Sequence, residues 1–583
     1  MTIFAGAYGI DAFATLPAAL VDYLQMRLRA VEDGRGTRHR FQTNSFVLEG
    51  WDSGAFSDSG WLLDADGVCN LAGDPLFEGE LLSRVKQVCL VRKSLKDGLM
   101  NILSNSRGTF ALVNYETSLH KLTLTTDHIG LRPIYYAIQD GVLVFSTALR
   151  ILENMPWLQR SVSLQGVAEL CAFSFPLADR TPYAEVSVIR ECEVILLENG
   201  EMSRQRYFDW SEPSLSNLEA TQSFSPAQLY RLFEEAVAMR AGDDRSVYSF
   251  LSGGMDSRAI AATLLNMNRH IEALNFSYKA SQDQFYAQQF AQEVASHLVL
   301  HCMEGRGDYL NYSALAVEAI ADLEKSQLIQ VDRPQCIWSG DGGSVGLGHV
   351  YMNEEMLDIA DQKGLIEAGR NFIKFNRIEL TTKVMPPLVS CDIQNGLYAA
   401  VLGEMNRYPR RELGRQIYLF LLFNDQRRHL FKHFETIDQH GVELIAPFFD
   451  SKFLKAIAAT PIRQGVYHRL YSEWFEFLPE VARRTPWQTY PGHVPCPIKS
   501  EQTGSYQWAK THRRASIGER FEVARRILRA FRMTRGLGVF STTRVALVAI
   551  MQALGLRNSE YLAVILEKYA THAMKVSKPA SRG

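Results

Sequence analysis

A compact set of residues able to hold a phosphate group lies in residues 245–262, RSVYSFLSGGMDSRAIAA. Residues 247–251 form a short apolar, β-rich run, and the alanine-rich residues 259–262 are typical of the beginning of a helix. Between the two runs, Gly253 and Gly254 allow backbone N–H groups to turn inward at a helix N-terminus, where the helix dipole favours an anion. The sequence therefore predicts a strand, a phosphate-binding turn and a helix.

Three polar residues of this turn complete the predicted site. Asp256 would repel a bare phosphate, so its carboxylate predicts a Mg²⁺ ion between the two groups. The hydroxyls of Ser252 and Ser257 can donate hydrogen bonds to phosphate oxygens. An ordinary strand-to-helix turn with a serine cap is the simpler alternative, but two glycines, two serines and an aspartate in this context favour the phosphate site.

Residues 252–257, Ser-Gly-Gly-Met-Asp-Ser, resemble the SGGxDS pyrophosphate loop of the asparagine-synthetase-like ligases. No Gly-Lys-Ser/Thr follows, so the loop is not of the Walker type. Enzymes of that family bind ATP, transfer AMP to a carboxylate, release pyrophosphate and let a nitrogen nucleophile displace the AMP. The resemblance extends from Met1 to about Pro497. It implies the same chemistry here, with ATP and Mg²⁺ as cofactors and a small-molecule or peptide carboxylate as substrate.

A second strand-like run, residues 271–277, follows the phosphate loop and its helix, and a further helical pattern comes after it. This alternation predicts a Rossmann-like parallel sheet with a right-handed crossover, in which ligands lie beyond the carboxyl ends of the strands. Leu251 and Asn275 end two such strands. We therefore expect them to line an adenine pocket.

Residues 337–343, Ile-Trp-Ser-Gly-Asp-Gly-Gly, resemble the second glycine loop of the same family. The resemblance implies that Ser339 and Gly340 approach the nucleotide. Asp341 has the acidic position, where a carboxylate could bind metal or accept a proton. Ser344 stands where relatives carry an aspartate that binds Mg²⁺. Either Asp341 takes over metal binding or a second Mg²⁺ is held more weakly.

Residues 441–450, GVELIAPFFD, resemble the family segment GLEVRVPFLD and follow a long predicted helix over residues 416–434. Glu443 matches the family glutamate and is predicted to be catalytic, whereas Ile445 replaces the family arginine. Pro486 stands where relatives carry a lysine that steadies the charge of the acyl-adenylate.

Several nearby cations could replace that lysine, because electrostatic stabilisation needs a positioned charge rather than one residue type. The sequence does not choose among Arg483, Arg484, His493 and Lys499. The polar and aromatic residues 487–493 predict a substrate loop.

The first 210 residues alternate short β-type runs with turns and helical stretches, which predicts stacked antiparallel sheets with helices on their faces. Residues 107–112, RGTFAL, and 127–136, DHIGLRPIYY, resemble the glutaminase domain of class II amidotransferases. The predicted fold class is therefore α/β: N-terminal Ntn-hydrolase-like stacked sheets, then a Rossmann-like parallel-sheet synthetase domain with extra helices.

The chemistry of that glutaminase domain is not preserved in the sequence. Such an enzyme needs an N-terminal cysteine whose thiol is activated by the terminal amine, and this chain has Thr2. Ala72-Gly73 stands where the family has its Asn-Gly oxyanion pair. The resemblance therefore implies a domain that has lost glutamine hydrolysis and is kept as structure, as in β-lactam synthetases and lasso-peptide cyclases.

The composition is that of an ordinary globular protein of 583 residues, 46% hydrophobic and 22% charged, which is long enough for two or three domains. The boundaries predicted are 1–212 for the glutaminase-like domain, 225–500 for the ATP-binding domain and 501–583 for a basic helical extension, with a linker near residues 210–226. The net charge of −2 gives no reason to expect nucleic acid.

Charge and cysteine usage bear on partners and location. From residue 501 onward, fifteen Lys and Arg face five Glu, which suggests an anionic partner, although solvated basic helix faces would give the same count. Eight cysteines show no Cys-x-x-Cys spacing, so we expect free thiols and no structural zinc. Neither a signal peptide nor a membrane-spanning segment is predicted, and a cytoplasmic enzyme is expected.

Three functions remain open from the sequence. The first is an ATP-dependent ligase that adenylates a carboxylate and forms an amide with an amine. The second is a glutamine- or ammonia-dependent amidotransferase of asparagine-synthetase type. The third is a non-catalytic nucleotide-binding scaffold, which Ser344 and Pro486 support and Asp256 opposes, since a carboxylate beside a phosphate is costly without metal.

Overall fold

The computed structural model describes residues 2–27, 36–56, 58–77, 83–95, 98–211, 224–279, 281–303, 312–325, 331–376, 382–409, 411–489, 492–499 and 516–577. Residues 212–223 of the predicted linker, Tyr490 and Pro491 of the predicted substrate loop, and residues 500–515 of the basic extension lie outside these ranges. The predicted domain boundaries therefore stay predictions.

Twelve strands build the N-terminal part of the described chain, in agreement with the short β-type runs that the sequence predicts there. Their bounds are β1 (Thr2–Gly9), β2 (Thr37–Gln42), β3 (Phe46–Asp52), β4 (Trp61–Asp64), β5 (Gly67–Asp74), β6 (Thr109–Glu116), β7 (Lys121–Thr126), β8 (Tyr135–Gln139), β9 (Val142–Ser146), β10 (Ser187–Val188), β11 (Glu193–Glu198) and β12 (Glu201–Arg206).

These strands form two six-stranded antiparallel sheets, in the orders β10-β8-β9-β1-β3-β2 and β12-β11-β7-β6-β5-β4. The alternate side chains of each sheet point to a shared core, in which Phe4, Phe46, Val113 and Phe145 are fully buried. Helices pack on the outer faces: α1 (Ala18–Arg27), α2 (Arg84–Ser94), α3 (Leu99–Ser104), α4 (Leu149–Glu153) and α5 (Leu164–Phe173).

The next part of the chain contains a five-stranded parallel sheet of order β15-β14-β13-β16-β17. Its strands are β13 (Ser246–Phe250), β14 (His270–Asn275), β15 (Leu298–Cys302), β16 (Cys336–Trp338) and β17 (Glu443–Ile445). The helices that precede or connect the first four strands are α6 (Pro226–Ala241), α7 (Met255–Asn266), α8 (Gln282–Glu293) and α9 (Tyr312–Lys325). The predicted fold class, stacked antiparallel sheets followed by a parallel sheet, is confirmed.

A large helical insertion separates β16 from β17, and more helices follow β17. They are α10 (Gly343–Gly346), α11 (Glu354–Lys363), α12 (Leu365–Phe375), α13 (Pro387–Met405), α14 (Leu413–Phe420), α15 (Arg427–His429), α16 (Phe431–Glu435), α17 (Ile437–His440), α18 (Ser451–Ala459), α19 (Ile462–Gly465), α20 (Arg469–Phe475), α21 (Glu480–Arg484), α22 (Ile517–Thr534), α23 (Thr542–Ala553) and α24 (Glu560–Ser577).

The helix predicted over residues 416–434 is interrupted, which corrects the prediction. A π-helical segment, Leu421–Gln426, separates α14 from α15. The apolar spacing of this stretch is helical throughout, so periodicity alone does not show the wider turn. Within the described ranges, no helix is both long and apolar enough to cross a membrane.

Buried ion pairs join the stacked sheets to the parallel-sheet part. Arg107 donates from Nε to both carboxylate oxygens of Asp450, at 3.1 and 3.0 Å, and Arg240 donates to the same carboxylate at 3.0 Å. Asp450 is fully buried and also caps α18. Since both arginines are buried too, this carboxylate balances their charge where water cannot.

Prediction for Asp450→Asn. The amide keeps the size and capping ability of the side chain but leaves Arg240 without its counter-charge and Arg107 with the exposed Glu235 alone, so we expect a loss of about 3–5 kcal/mol in the free energy of unfolding. Chemical denaturation measures it. The matched control is Glu235→Gln, which removes an exposed partner of Arg107 and should cost less than about 1 kcal/mol. Equal effects of the two substitutions would contradict the assignment.

Candidate active site

A cavity of about 640 Å³ opens at the carboxyl edge of the parallel sheet, beyond the ends of β13, β14 and β16. This is where ligands bind in open parallel sheets. Nearly all residues predicted to bind nucleotide or metal line it: Leu251, Ser252, Gly254, Asp256, Ser257, Asn275, Ser339, Gly340 and Asp341. The two glycine loops, which are more than 80 residues apart in sequence, therefore meet at one cavity.

The first loop is held by its own side chains. The N–H of Ser252 donates to Ser257 Oγ at 2.9 Å, and the two serine hydroxyls are 3.0 Å apart. The N–H of Gly254 donates to Ser252 Oγ at 3.1 Å. Gly254 is the N-cap of α7, so the first-turn N–H groups of α7 are directed to the cavity.

Gly253 has a packing role that differs from the predicted one. Its N–H donates to Asp283 Oδ1 at 2.9 Å, so this amide is used within the protein. A Cβ at position 253 would lie 2.7 Å from the Cα of Asp283. Glycine is therefore required here because α8 approaches the loop closely.

The second glycine loop packs directly on the first. A Cβ on Gly340 would lie 2.7 Å from the backbone nitrogen of Ser257, and one on Gly343 would lie 2.5 Å from Asp256 Oδ1. Neither position has room for a side chain. The contact between the loops is thus made by backbone, and it fixes where Asp256 and Asp341 lie relative to each other.

Asp256 is held by two hydroxyl donors. Ser344 Oγ donates to Asp256 Oδ2 at 2.7 Å, and the Tyr471 hydroxyl donates to Oδ1. Burial raises the pKa of Asp256 to about 6, with a further increase from the nearby charge of Asp341, while the two hydroxyls act in the opposite direction. Ser344 therefore orients the carboxylate of the first loop.

Asp341 lines the cavity and accepts a hydrogen bond from the Ser339 hydroxyl of its own loop. His429 Nε2 lies 3.7 Å from Asp341 Oδ1, on the helix that follows the π-helical segment. Asp425 and Gln426 of that segment also line the cavity. The wider turn thus brings polar side chains to the site, as π-helical turns at functional sites often do.

The prediction that Glu443 is catalytic is not supported by its position. Glu443 begins β17 and so lies at the amino end of a parallel strand, whereas the cavity lies beyond the carboxyl ends. Its carboxylate is fully buried and pairs with Arg132 of the N-terminal sheets. Glu443 is a structural residue of the contact between the two halves.

None of the four cations proposed to replace the family lysine is among the residues that line the cavity. Arg484 pairs with Glu480 at 2.7 Å and is exposed, Arg483 donates to the carbonyl of Leu478, and Lys499 is exposed. The ring of His493 lies 4.4 Å from that of His468, a cavity residue.

Burial lowers the pKa of His493 and that of His468, the latter to about 3, so both rings are neutral near pH 7. At the position of the missing lysine, buried Arg258 instead donates to the carbonyls of Thr485 and Pro486, at 2.6 and 2.9 Å. The predicted substrate loop reaches the site in part, because Gln488 and Thr489 line the cavity.

Sequence reasoning missed several residues at the site. Asp283 could have been found, since it opens the helix after the second strand, a usual place for a ligand-binding carboxylate. Tyr471, His468 and His429 carry no such signal, because the fold brings them from helices far along the chain.

The oxygen donors suit Mg²⁺. Asp256 and Asp341 raise the local negative charge, and a divalent cation would relieve it. Within the described part of the chain, no group of three or more acidic, His or Cys side chains could hold a metal. Two carboxylates completed by phosphate oxygens are typical of Mg²⁺ bound with a nucleotide. Asp256 and Asp341 would hold the ion, which would neutralise phosphate charge.

The residue at the position of the glutaminase nucleophile is hydrogen-bonded to a buried ion pair. Thr2 is buried, donates from its hydroxyl to Asp52 at 3.0 Å and accepts from Arg84 at 2.8 Å. Burial alone would raise the pKa of Asp52, but the Arg84 guanidinium and hydrogen bonds, including that from the Gly54 N–H, together hold the pKa below its usual range. The hydroxyl of Thr2 thus serves a buried ion pair.

Comparisons with known proteins agree with this arrangement. A family model described as a glutamine amidotransferase domain matches residues 88–208, and one described as asparagine synthase matches residues 228–320. Glutamine-hydrolysing asparagine synthetase of Bos taurus is 23% identical over 443 residues, which cover 71% of this chain and 67% of that protein. The Homo sapiens enzyme is 25% identical over 430 residues, with the same coverage.

One solved structure, glutamine phosphoribosylpyrophosphate amidotransferase from B. subtilis, is 13% identical to this chain. The match covers 60% of this chain and 83% of that one, with a TM-score of 0.23. The chain is thus similar to the asparagine-synthetase-like ligases, with a match to a glutaminase-type domain ahead of a match to a synthetase domain. It is accordingly an ATP-dependent carbon–nitrogen ligase that forms amides.

Prediction for Asp256→Asn. The folded pKa of Asp256, about 6, lies above its ordinary value, so the stability it contributes is present at low pH and is lost as the pH rises through 6. Asparagine does not titrate. Without nucleotide and Mg²⁺, we expect the stability of the variant relative to the wild type to increase by roughly 1 kcal/mol between pH 5 and pH 7.5.

Denaturation midpoints at the two pH values measure this difference. The control is Asp358→Asn, which changes an exposed carboxylate on α11 and should show no such dependence. If the difference in stability between Asp256→Asn and the wild type does not change with pH, the pKa of Asp256 is not raised in the folded protein.

Proposed function

We propose that this protein activates a substrate carboxylate with ATP and joins it to an amine. The carboxylate oxygen attacks the α-phosphorus, the bond to pyrophosphate breaks, and an acyl-adenylate forms. The amine nitrogen then attacks the acyl carbon, AMP leaves, and the nitrogen loses a proton. The observation that carries the proposal is the meeting of two glycine loops and two carboxylates, Asp256 and Asp341, at one cavity.

Each part of the cavity has a role in this proposal. The N-terminus of α7 and the hydroxyls of Ser252 and Ser257 bind phosphate oxygens. Leu251 and Asn275, which are joined by a 2.8 Å hydrogen bond from Asn275 Nδ2 to the Leu251 carbonyl, form one wall of the nucleotide site. Asp341 lies where a carboxylate can position the reacting groups or accept the proton of the amine.

The nucleophile in this proposal is an amine of the substrate rather than ammonia from glutamine. Support comes from Thr2, whose hydroxyl is held by Asp52 and Arg84. The glutamine-dependent form of the amidotransferase alternative would need that hydroxyl to be free. The scaffold alternative rests on Ser344 and Pro486, which replace residues of the family pattern. Ser344, however, donates a hydrogen bond to the Asp256 carboxylate and so contributes to the site. A cytoplasmic location belongs to the proposal, in keeping with eight cysteines that are all free.

Prediction for pyrophosphate chemistry. With Mg²⁺ and a panel of carboxylic acids, the wild type should exchange labelled pyrophosphate into ATP. Asp256→Asn should abolish exchange although the variant folds, and Asp341→Asn should lower turnover roughly 100-fold with little change in ATP affinity. Exposed Asp358→Asn is the control. Exchange at the wild-type rate in Asp256→Asn would remove the proposed assignment.

Prediction for glutamine. The purified protein should release no glutamate from glutamine, and Thr2→Ala should behave identically, because the Thr2 hydroxyl is engaged on both sides. Glutamate release measured over hours checks this, with a glutamine-hydrolysing asparagine synthetase assayed in parallel. Steady turnover that Thr2→Ala abolishes would favour the amidotransferase alternative.

A further inference from the structure

The three C-terminal helices, α22, α23 and α24, form a layer attached to the body of the protein. Their inner sides share one hydrophobic cluster with α5 and α13. Polar contacts add to it: Lys568 donates to the carbonyl of Leu170 at 2.8 Å, and Lys575 pairs with Glu153. The layer is therefore fixed to the rest of the structure, and its outer side has a defined direction.

That outer side is unusually apolar. Of the 25 large hydrophobic side chains that are exposed in the described residues, eleven lie between residues 517 and 574. Single exposed apolar residues are common on protein surfaces, but a concentration of them marks an interaction site. Because the layer is a small part of the chain, this large share of the exposed hydrophobic side chains indicates a surface that binds a partner.

The exposed residues of α23 form a stripe. Leu547, Ile550 and Leu554 are 58%, 57% and 64% exposed and follow the spacing i, i+3, i+7, which puts them on one helix face. The buried Val545, Val548 and others of this helix lie on the opposite face. α23 thus has two apolar faces: one packs against the rest of the protein, and the other is exposed.

The exposed side of α22 combines apolar and basic residues. Ile517, Phe521 and Leu528 are exposed and lie along one line of the helix, with spacings of four and seven residues. The Arg520 side chain lies against Gly555, so the start of α22 is next to the end of α23. The two apolar lines therefore belong to one surface.

Exposed arginines border this surface. Arg529, Arg532 and Arg535 are exposed, and the structure shows no ion pair for them within its described ranges. The four acidic residues of the described layer lie near other groups: Glu522 is 3.7 Å from Arg525, Glu567 pairs with Arg526, Glu519 belongs to the capping box of α22, and Glu560 at the start of α24 interacts electrostatically with Arg526. The surface is consequently positive.

We propose that this outer side of α22 and α23 binds the surface of an anionic lipid bilayer. Apolar side chains that enter the acyl–headgroup boundary, flanked by arginines that reach lipid phosphates, are the features by which helices lie on membranes. A protein partner would need to be both apolar and acidic. A second copy of this layer would oppose arginine to arginine, so the charge argues for lipid.

Flotation with vesicles tests the proposal. The wild type should bind vesicles of phosphatidylcholine with about one third phosphatidylglycerol, more weakly at high salt, and should not bind phosphatidylcholine alone. Since each arginine near such a surface strengthens binding about five-fold, R529Q/R532Q/R535Q should weaken it roughly 100-fold. L547S/I550S/L554S should weaken it at least roughly ten-fold.

Matched controls use exposed residues on other helices and strands. K363Q/R370Q/R463Q removes three charges elsewhere, and F13S/L63S/I366S removes three apolar side chains elsewhere, and both should bind as the wild type does. Circular dichroism checks that every variant is folded.

Three results would overturn the proposal. They are equal binding to neutral and anionic vesicles, no binding, and binding that neither triple variant of the layer reduces. Sedimentation velocity distinguishes the remaining occupant: a wild-type dimer that L547S/I550S/L554S converts to a monomer, without lipid binding, would assign the surface to a second copy.

Discussion

Buried pairs of arginine and carboxylate hold the two halves of this protein together. Arg107 and Arg132 come from the two N-terminal motifs that resemble a glutaminase, and their partners Asp450 and Glu443 come from one motif of the synthetase half. A buried charge without a partner is strongly destabilising, so each motif depends on the other. The glutaminase-like domain therefore has a structural role: without it, Glu443 would lose its counter-charge and Asp450 would keep Arg240 alone.

The site depends on a second constraint, the backbone contact of the two glycine loops at Asp256. This contact leaves no space for a Cβ at Gly340 or Gly343, and the hydroxyls of Ser344 and Tyr471 orient the Asp256 carboxylate. Neither Lys nor Arg occurs among the described residues that line the cavity. The positive potential that protein groups offer an anion there comes chiefly from the N-terminus of α7.

The sequence predicts the parts of this fold that local patterns determine. Alternating apolar runs give the antiparallel strands, and the strand–glycine–helix pattern at residues 246–262 places the first loop at the carboxyl edge of a sheet. Glu443 shows what local sequence patterns do not predict. A motif identifies the residue but not the end of the strand at which it lies, and the buried partner Arg132 is 311 residues away. Tyr471 donates to Asp256 although the two residues are 215 positions apart in sequence, and hydrophobic periodicity does not predict such a contact.

The surroundings of Thr2 have a structural role in the N-terminal sheets. The Arg84 guanidinium donates to Thr2, to Asp52 and to the carbonyls of Gly73 and Asp58, at 2.8 to 3.2 Å. These groups lie in a largely buried environment, where loss of a hydrogen bond to a charged donor costs free energy. Since Arg84 satisfies all of them together, a single change at position 2 would not recreate a glutaminase: a thiol there would still lie against the guanidinium and the Asp52 carboxylate. The surroundings of position 2 thus differ from a free nucleophile by the packing of several residues and not by one residue alone.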